Sequence, residues 1–151
     1  MTRAELLAHL REFDGILVLE PGPDSGVPEI AWGDSFFYYA PDGEVPTNAQ
    51  PYGTIVTKNY PDDTASALGN GRWRLNIQVA HDRFVELVGE DPRSLSRVRD
   101  FAVPDTVHPH PVYGPLGWIS IVNPETTAVL ALELLGAAHA AARARFERRR
   151  R

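Results

Sequence analysis

The sequence predicts a single α+β domain over residues 1–151, with an antiparallel sheet of about five strands packed against N-terminal, middle and C-terminal helices. Apolar residues recur at helical spacing near both ends of the chain and once in the middle. Between these segments lie short runs of β-branched and aromatic residues, separated by turns rich in proline and glycine. The order of helix, several strands, helix, strand and helix differs from the regular alternation of a wound parallel sheet.

The first predicted element is a helix over residues 2–13. Thr2 can cap its N-terminus, and Glu5 follows three residues later, as in a capping box. The dipeptide at 14–15, Asp-Gly, is expected to end it. The apolar stripe of this helix consists of Leu6, Leu7, Leu10 and Phe13.

Four segments in the first half of the chain predict strands. Residues 16–19 form a short apolar run. Residues 35–40, SFFYYA, and 52–59, YGTIVTKN, favour β structure and are expected to pair as an antiparallel hairpin. Residues 73–79, WRLNIQV, alternate between apolar and polar side chains, which predicts a strand with one face of each kind. The polar face carries Arg74, Asn76 and Gln78.

The second half of the chain predicts two helices and one strand. A short helix over 81–88 is expected to end at Gly89. Residues 118–122, WISIV, predict a strand. The tripeptide at 123–125, Asn-Pro-Glu, predicts the start of the last helix, because asparagine caps well, proline fits the first helical position and glutamate favours the positive end of the helix dipole. Residues 147–151 are predicted to be a basic, frayed tail.

Composition excludes several classes of function. No stretch approaches about 20 consecutive apolar residues, so no segment is expected to cross a membrane. The chain has no cysteine, which excludes disulfides, thiolate metal ligands and cysteine nucleophiles and fits a cytoplasmic protein. The net charge is −5, but residues 143–151 hold six arginines and one glutamate. The rest of the chain therefore holds nine basic and nineteen acidic residues, a balance that makes nucleic acid an unlikely partner.

The segment HPHPVYGPLGW at 108–118 is the candidate functional loop. On an extended chain His108 and His110 would point the same way, which suits a shared metal. A zinc site needs three or four ligands, however, and no further histidine follows until His139. The two prolines can also stiffen a loop for structural reasons alone. We therefore expect neither a metal nor a cofactor.

The polar face of strand 73–79 offers the other half of a candidate site. If this face is open to solvent, its polar row needs no explanation. If it is covered, its side chains need buried partners, and a ligand is one candidate. The aromatic residues of the loop could close such a site, or they could instead pack in the core and fix the loop through a hydroxyl. The predicted site residues are Arg74, Asn76, His108 and Trp118 for ligand binding and His110 and Tyr113 for catalysis.

Three functions remain open at this point. The first is binding of a small molecule between the sheet face and the 108–118 loop, where Arg74 beside an amide favours a carboxylate or another polar ligand. The second is a cofactor-independent cyclase, isomerase or hydrolase, with His110 as acid or base and Tyr113 as a second proton donor. The third is a nucleic-acid or protein interaction module that uses the C-terminal arginines. A monomer and a homodimer are both open.

Six segments carry a family resemblance: YGTIVT at 52–57, Ser-Ala-Leu at 66–68, GRWRLNI at 71–77, the helix with Phe84 and Gly89, HPVYGPLGW at 110–118 and VNPE at 122–125. Together they resemble a family of small bacterial proteins known only as domain-of-unknown-function family 6194. The order of elements is also similar to the MmcQ/YjbR-like fold, in which a tryptophan-bearing strand leads into the C-terminal helix. That fold implies a double-wing arrangement of the DNA-binding kind, which the acidic body weakens. The resemblance implies a fold and no particular activity.

Overall fold

The computed structural model describes residues 1–150, which form three α-helices and one six-stranded antiparallel sheet. This arrangement confirms the α+β architecture. The helices are α1 (Arg3–Leu10), α2 (His81–Val88) and α3 (Ala128–Arg149), and the strands are β1 (Ile16–Leu19), β2 (Ser35–Tyr39), β3 (Gly53–Val56), β4 (Arg74–Gln78), β5 (His108–Pro109) and β6 (Trp118–Val122).

The strands follow the order β1-β2-β3-β4-β6-β5, so β4 lies inside the sheet between β3 and β6. The predicted hairpin of β2 and β3 is present and antiparallel. The expectation of about five strands was one too few, because β5 has only two residues and lies within the predicted loop. His108 pairs with Ser120 and Pro109 with Ile119. A proline cannot donate a ladder hydrogen bond, which suits its place on an edge strand.

One face of the sheet is apolar and packs against α1 and α3. Its central side chains are fully buried, and burial of each stabilises the fold by about 1.5–3 kcal/mol. Gly53 shows how closely α3 approaches: a Cβ added there would lie 3.3 Å from a methyl carbon of Leu135. The fully buried side chains of this face are Phe37, Ile55, Leu75, Ile77, Ile119 and Ile121.

Helix α1 has the predicted capping box. The Glu5 N–H donates to Thr2 Oγ1 at 3.1 Å, and the Thr2 N–H donates to Glu5 Oε2 at 3.3 Å. The helix ends at Leu10, three residues before the predicted end. The turn that follows depends on Gly15, whose φ is 75°, because a Cβ there would lie 2.6 Å from the Tyr39 ring.

The predicted start of the last helix was wrong. Helix α3 begins at Ala128, and Asn123 instead adopts a φ of 44° at the end of β6. Its side chain accepts from the Trp73 N–H at 3.0 Å and donates to the Gly71 carbonyl at 3.1 Å, which ties β6 to the start of β4. The carboxylate of Asp105 accepts the backbone N–H groups that precede α3. Those groups belong to Glu125, Thr126 and Thr127.

Helix α3 continues to Arg149, so residues 147–149 of the predicted tail form its last helical turn. Arg151, the last residue of that tail, lies outside the described residues. Within residues 1–150, no helix combines the length and the apolar character needed to cross a bilayer.

Candidate functional site

The centre of the second face, where β4 lies, is also buried, although two of its side chains there are polar. Arg74 is 1% exposed and Asn76 is 2% exposed, so the solvent-facing interpretation is wrong for these two residues. Gln78, the third residue of the polar row, is exposed. Segments 60–66 and 110–118 cover the centre of this face, and the first of them supplies hydrogen-bond partners to Arg74.

Arg74 is held by four hydrogen bonds to side chains. Its two Nη atoms donate to the Asp63 carboxylate, at 2.9 Å to Oδ1 and 2.5 Å to Oδ2. Nη1 also donates to Ser66 Oγ at 3.0 Å, and Nε donates to Asn76 Oδ1 at 2.8 Å. Paired N–H···O bonds of this kind are the strongest geometry available to an arginine. Four of the five N–H groups of Arg74 are therefore engaged by side chains of the protein.

Asp63 lies in a loop whose composition indicates a solvated side chain, but the structure buries most of it. Its side chain is only 11% exposed and forms an ion pair with Arg74. Burial raises the pKa of Asp63, but the hydrogen bonds and charge of Arg74 outweigh burial and hold the pKa below its ordinary value. The guanidinium charge is thus already neutralised, which removes the reason for expecting a carboxylate ligand.

His110 is fixed by the turn that it begins. Its Nδ1 accepts the backbone N–H groups of Val112 and Tyr113, both at 3.0 Å. Its Nε2 lies 3.3 Å from Nη2 of Arg74, which is also a donor. Because two shorter contacts favour Nδ1 as the acceptor, we assign the proton of the neutral ring to Nε2.

Burial, together with the charge of Arg74, lowers the pKa of His110 to about 3, against the opposing charge of Asp63. The imidazole is therefore neutral near pH 7. An imidazole ordinarily titrates near neutrality, but a protonated His110 would carry its charge into a buried site beside a guanidinium.

A cavity of about 730 Å³ lies between the polar face of β4 and the 108–118 loop. Five of the six predicted site residues border it, and the sixth, His108, does not. Tyr113 stands at the mouth with 48% of its surface exposed, and its ring packs against His110 with centroids 4.9 Å apart. The five that line the cavity are Arg74, Asn76, His110, Tyr113 and Trp118.

The cavity has a polar floor and largely apolar walls. On the floor, Asn76 Nδ2 donates to Thr54 Oγ1 at 2.9 Å, beside the Arg74 network. Trp118 forms part of a wall and is half-buried, so it does not pack in the core. Other lining residues are the aromatic Phe36 and Tyr60, the aliphatic Val56, Val112 and Leu116, and the amides Gln50 and Gln78.

His108 lies on β5, outside this cavity. Its Nε2 lies 3.0 Å from the carbonyl oxygen of Val103, and its ring meets Phe101 edge to face at 5.9 Å. These contacts support the segment before β5. The structure therefore does not bring the two histidines of the HPHP segment to a common point.

Sequence reasoning missed the residue that positions Tyr60 at the cavity wall. Asp34 is fully buried and accepts from the Tyr60 hydroxyl and, at 3.0 Å, from Nζ of Lys58. It also accepts from the backbone N–H of Thr57 at 2.8 Å. Burial, with the hydrogen bond and charge of Asp34, raises the pKa of Tyr60 far above its ordinary value. No local pattern around Asp34 predicts this role, because its partners lie more than twenty residues away.

Comparison with curated proteins gives no significant match. Comparison with solved structures gives none either, so the resemblance to the MmcQ/YjbR-like fold gains no support from that source. A family model described as a family of unknown function, DUF6194, matches residues 1–151. The match covers all 151 residues, and the chain therefore belongs to the DUF6194 family.

Proposed function

We propose that this protein binds a small organic molecule in the cavity between the polar face of β4 and the 108–118 loop. The proposal rests on one observation: residues from β4, β6 and the 108–118 loop line the same cavity, which has a volume of about 730 Å³. This volume lies within the range of about 300–1,000 Å³ typical of ligand pockets, and a polar floor with aromatic walls is their usual composition.

The walls are held in place by the protein itself. Among the described residues, every buried side-chain nitrogen or oxygen has a polar atom within hydrogen-bond distance. Arg74 links the sheet to the 60–66 segment, and His110 fixes the turn at 110–113. A cavity that is organised before binding loses little conformational entropy when a ligand enters.

The geometry favours binding over catalysis. A general acid or base works best when its pKa lies near the operating pH, whereas the pKa of His110 is lowered to about 3. Arg74 donates to Asp63, Ser66 and Asn76, so it is not free to stabilise a developing charge. The enzyme alternative therefore ranks second.

A nucleic-acid module of the double-wing type ranks third. Outside residues 143–151 the chain holds nineteen acidic and nine basic residues, which opposes contact with phosphates. The predicted cytoplasmic location would give a binding protein access to soluble metabolites.

A ligand screen monitored by thermal denaturation and by NMR of the tryptophan indole N–H groups tests the proposal. The Trp118 signal, assigned with Trp118→Phe, should shift with any compound that stabilises the protein. Gln78→Trp adds bulk at an exposed position beside the cavity and should abolish both effects. Val129→Trp, at an exposed position on α3, is the matched control and should preserve them. Stabilising compounds that leave the Trp118 signal unmoved would contradict the proposal.

A further inference from the structure

We propose that the cavity selects an organic cation, such as a quaternary ammonium compound, over a neutral or anionic molecule of the same shape. Two features of the cavity support this inference. Aromatic side chains and the carboxylate of Asp62 line the same cavity, and the guanidinium of Arg74 is already paired with Asp63. The inference rests on the proposed function and names the class of ligand.

The charges around the cavity favour a cation. Its lining holds one guanidinium, Arg74, and two carboxylates, Asp62 and Asp63. Arg74 and Asp63 neutralise each other in a buried pair, and the His110 ring is neutral near pH 7. Asp62 is exposed, and within residues 1–150 it forms no ion pair. One negative charge therefore remains at the open end of the cavity.

The aromatic side chains that line the cavity also favour a cation. The face of an aromatic ring carries negative charge density and attracts a cation within about 6 Å of the ring centroid. Among the lining residues Tyr113 is 48% exposed and Trp118 is half-buried, and the exposed Leu116 also borders the cavity. Tyr60 contributes less, because the Lys58 ammonium already lies 5.9 Å from its ring centroid. The cation site is thus assigned to the outer part of the cavity, near Asp62.

The same features disfavour binding of an anion. To reach the guanidinium it would have to displace Asp63, whose carboxylate would then be left buried without its partner. At the open end it would face Asp62 and the negative ring faces. Among the described residues that line the cavity, no unpaired cationic group is therefore present to bind an anion.

Three probes of one shape separate these cases: choline, 3,3-dimethylbutan-1-ol and 3,3-dimethylbutanoate are positive, neutral and negative, respectively. Each is titrated into ¹⁵N-labelled full-length protein while the Trp118 indole signal is followed. We expect choline to bind about tenfold more tightly than the alcohol, as one cation–π contact predicts, and the carboxylate to bind most weakly.

Equal or tighter binding of the alcohol or the carboxylate would overturn the cation inference and leave the proposed function standing. Absence of any choline shift at millimolar concentration would also overturn it, and the ligand screen would then decide the proposed function separately.

Two variants locate the charge selectivity. Asp62→Asn should weaken choline binding severalfold without changing binding of the alcohol, and since Asp62 is exposed the fold should be unaffected. Asp24→Asn, an exposed aspartate in the loop after β1, is the control and should change neither. Choline binding to the unmodified protein should also weaken as salt is added, because an exposed carboxylate is screened. Choline binding that is indifferent to both Asp62→Asn and salt would contradict the role of Asp62.

Discussion

The two faces of the sheet differ in what covers them and in what their buried groups need. One face packs against α1 and α3 with side chains such as Leu75 and Ile77, which are fully buried. The other lies beneath loops, and its buried side chains include Arg74 and Asn76. Strand β4 contributes to both faces, so adjacent residues of one strand are buried for different physical reasons.

This difference determines how each face responds to change. Burial of apolar surface has no preferred direction, so the apolar face is stabilised by any side chain of suitable volume. A buried polar group depends on particular partners at particular angles, and removal of one partner leaves the others unpaired. The polar face should therefore be the more sensitive of the two, and it is also the face that borders the cavity.

Arg74→Met should have the largest effect. It removes the charge that pairs with Asp63 and also removes donors to Ser66 and Asn76. Breaking a buried ion pair by removing one partner costs about 3–5 kcal/mol. Urea denaturation should show a loss of this size in the free energy of unfolding. Arg93→Met removes an arginine that is 77% exposed and should change stability by less than about 0.5 kcal/mol.

The double variant Asp63→Leu/Arg74→Met tests whether the loss comes from the unpaired carboxylate. Apolar replacement of both partners of a buried pair is often nearly neutral, so most of the stability should return. If Arg74→Met costs no more than Arg93→Met, the polar face does not depend on this pair.

Acid should destabilise the polar face through His110. The pKa of His110 is lowered to about 3 in the folded protein, against about 6.5 in the unfolded chain. Between about pH 3 and about pH 6.5, therefore, the unfolded chain binds a proton at this residue and the folded protein does not. Stability from this group is present above about pH 6.5 and is lost as pH falls toward 3, by up to about 1.4 kcal/mol per pH unit. Denaturation midpoints measured from pH 7 to pH 4 should show the decline.

His110→Asn should flatten that decline. The asparagine Oδ1 can accept the same N–H groups of Val112 and Tyr113, so the turn is retained while the titrating ring is lost. His9→Asn, at an exposed position on α1, is the control and should preserve the slope. An unchanged slope in His110→Asn would mean that other groups cause the acid sensitivity.

Local patterns predict the apolar face and several helix ends well. Thr2 and Glu5 predict the capping box, and the left-handed Gly89 ends α2 at the predicted residue. The alternation over 73–79 predicts which side chains of β4 share a face. These features depend on residues close together in sequence or on the two-residue alternation of a strand, and both can be identified in the amino-acid sequence.

Local patterns could not predict which segments lie over the polar face. Asp63 lies in a turn whose composition indicates solvent exposure, and nothing near it signals its pairing with Arg74. Asp105 accepts the N–H groups before α3 from twenty residues away, so the local Asn-Pro-Glu signal placed the start of that helix too early. Strand β5 is too short to show a period. Each of these depends on a contact between segments distant in sequence.

Ile77→Val should have the smallest effect and should separate the two faces most clearly. It removes one methylene from the apolar face, next to Asn76 on the same strand, and should cost about 0.5–1.5 kcal/mol in urea denaturation. Val129→Ala, at an exposed position on α3, is the control for loss of aliphatic surface. The Trp118 indole signal should stay in place in Ile77→Val, because the β4–β6 register is held by backbone hydrogen bonds that the change does not touch. Because packed interiors transmit strain, a shift of that signal would show that the apolar core also shapes the cavity.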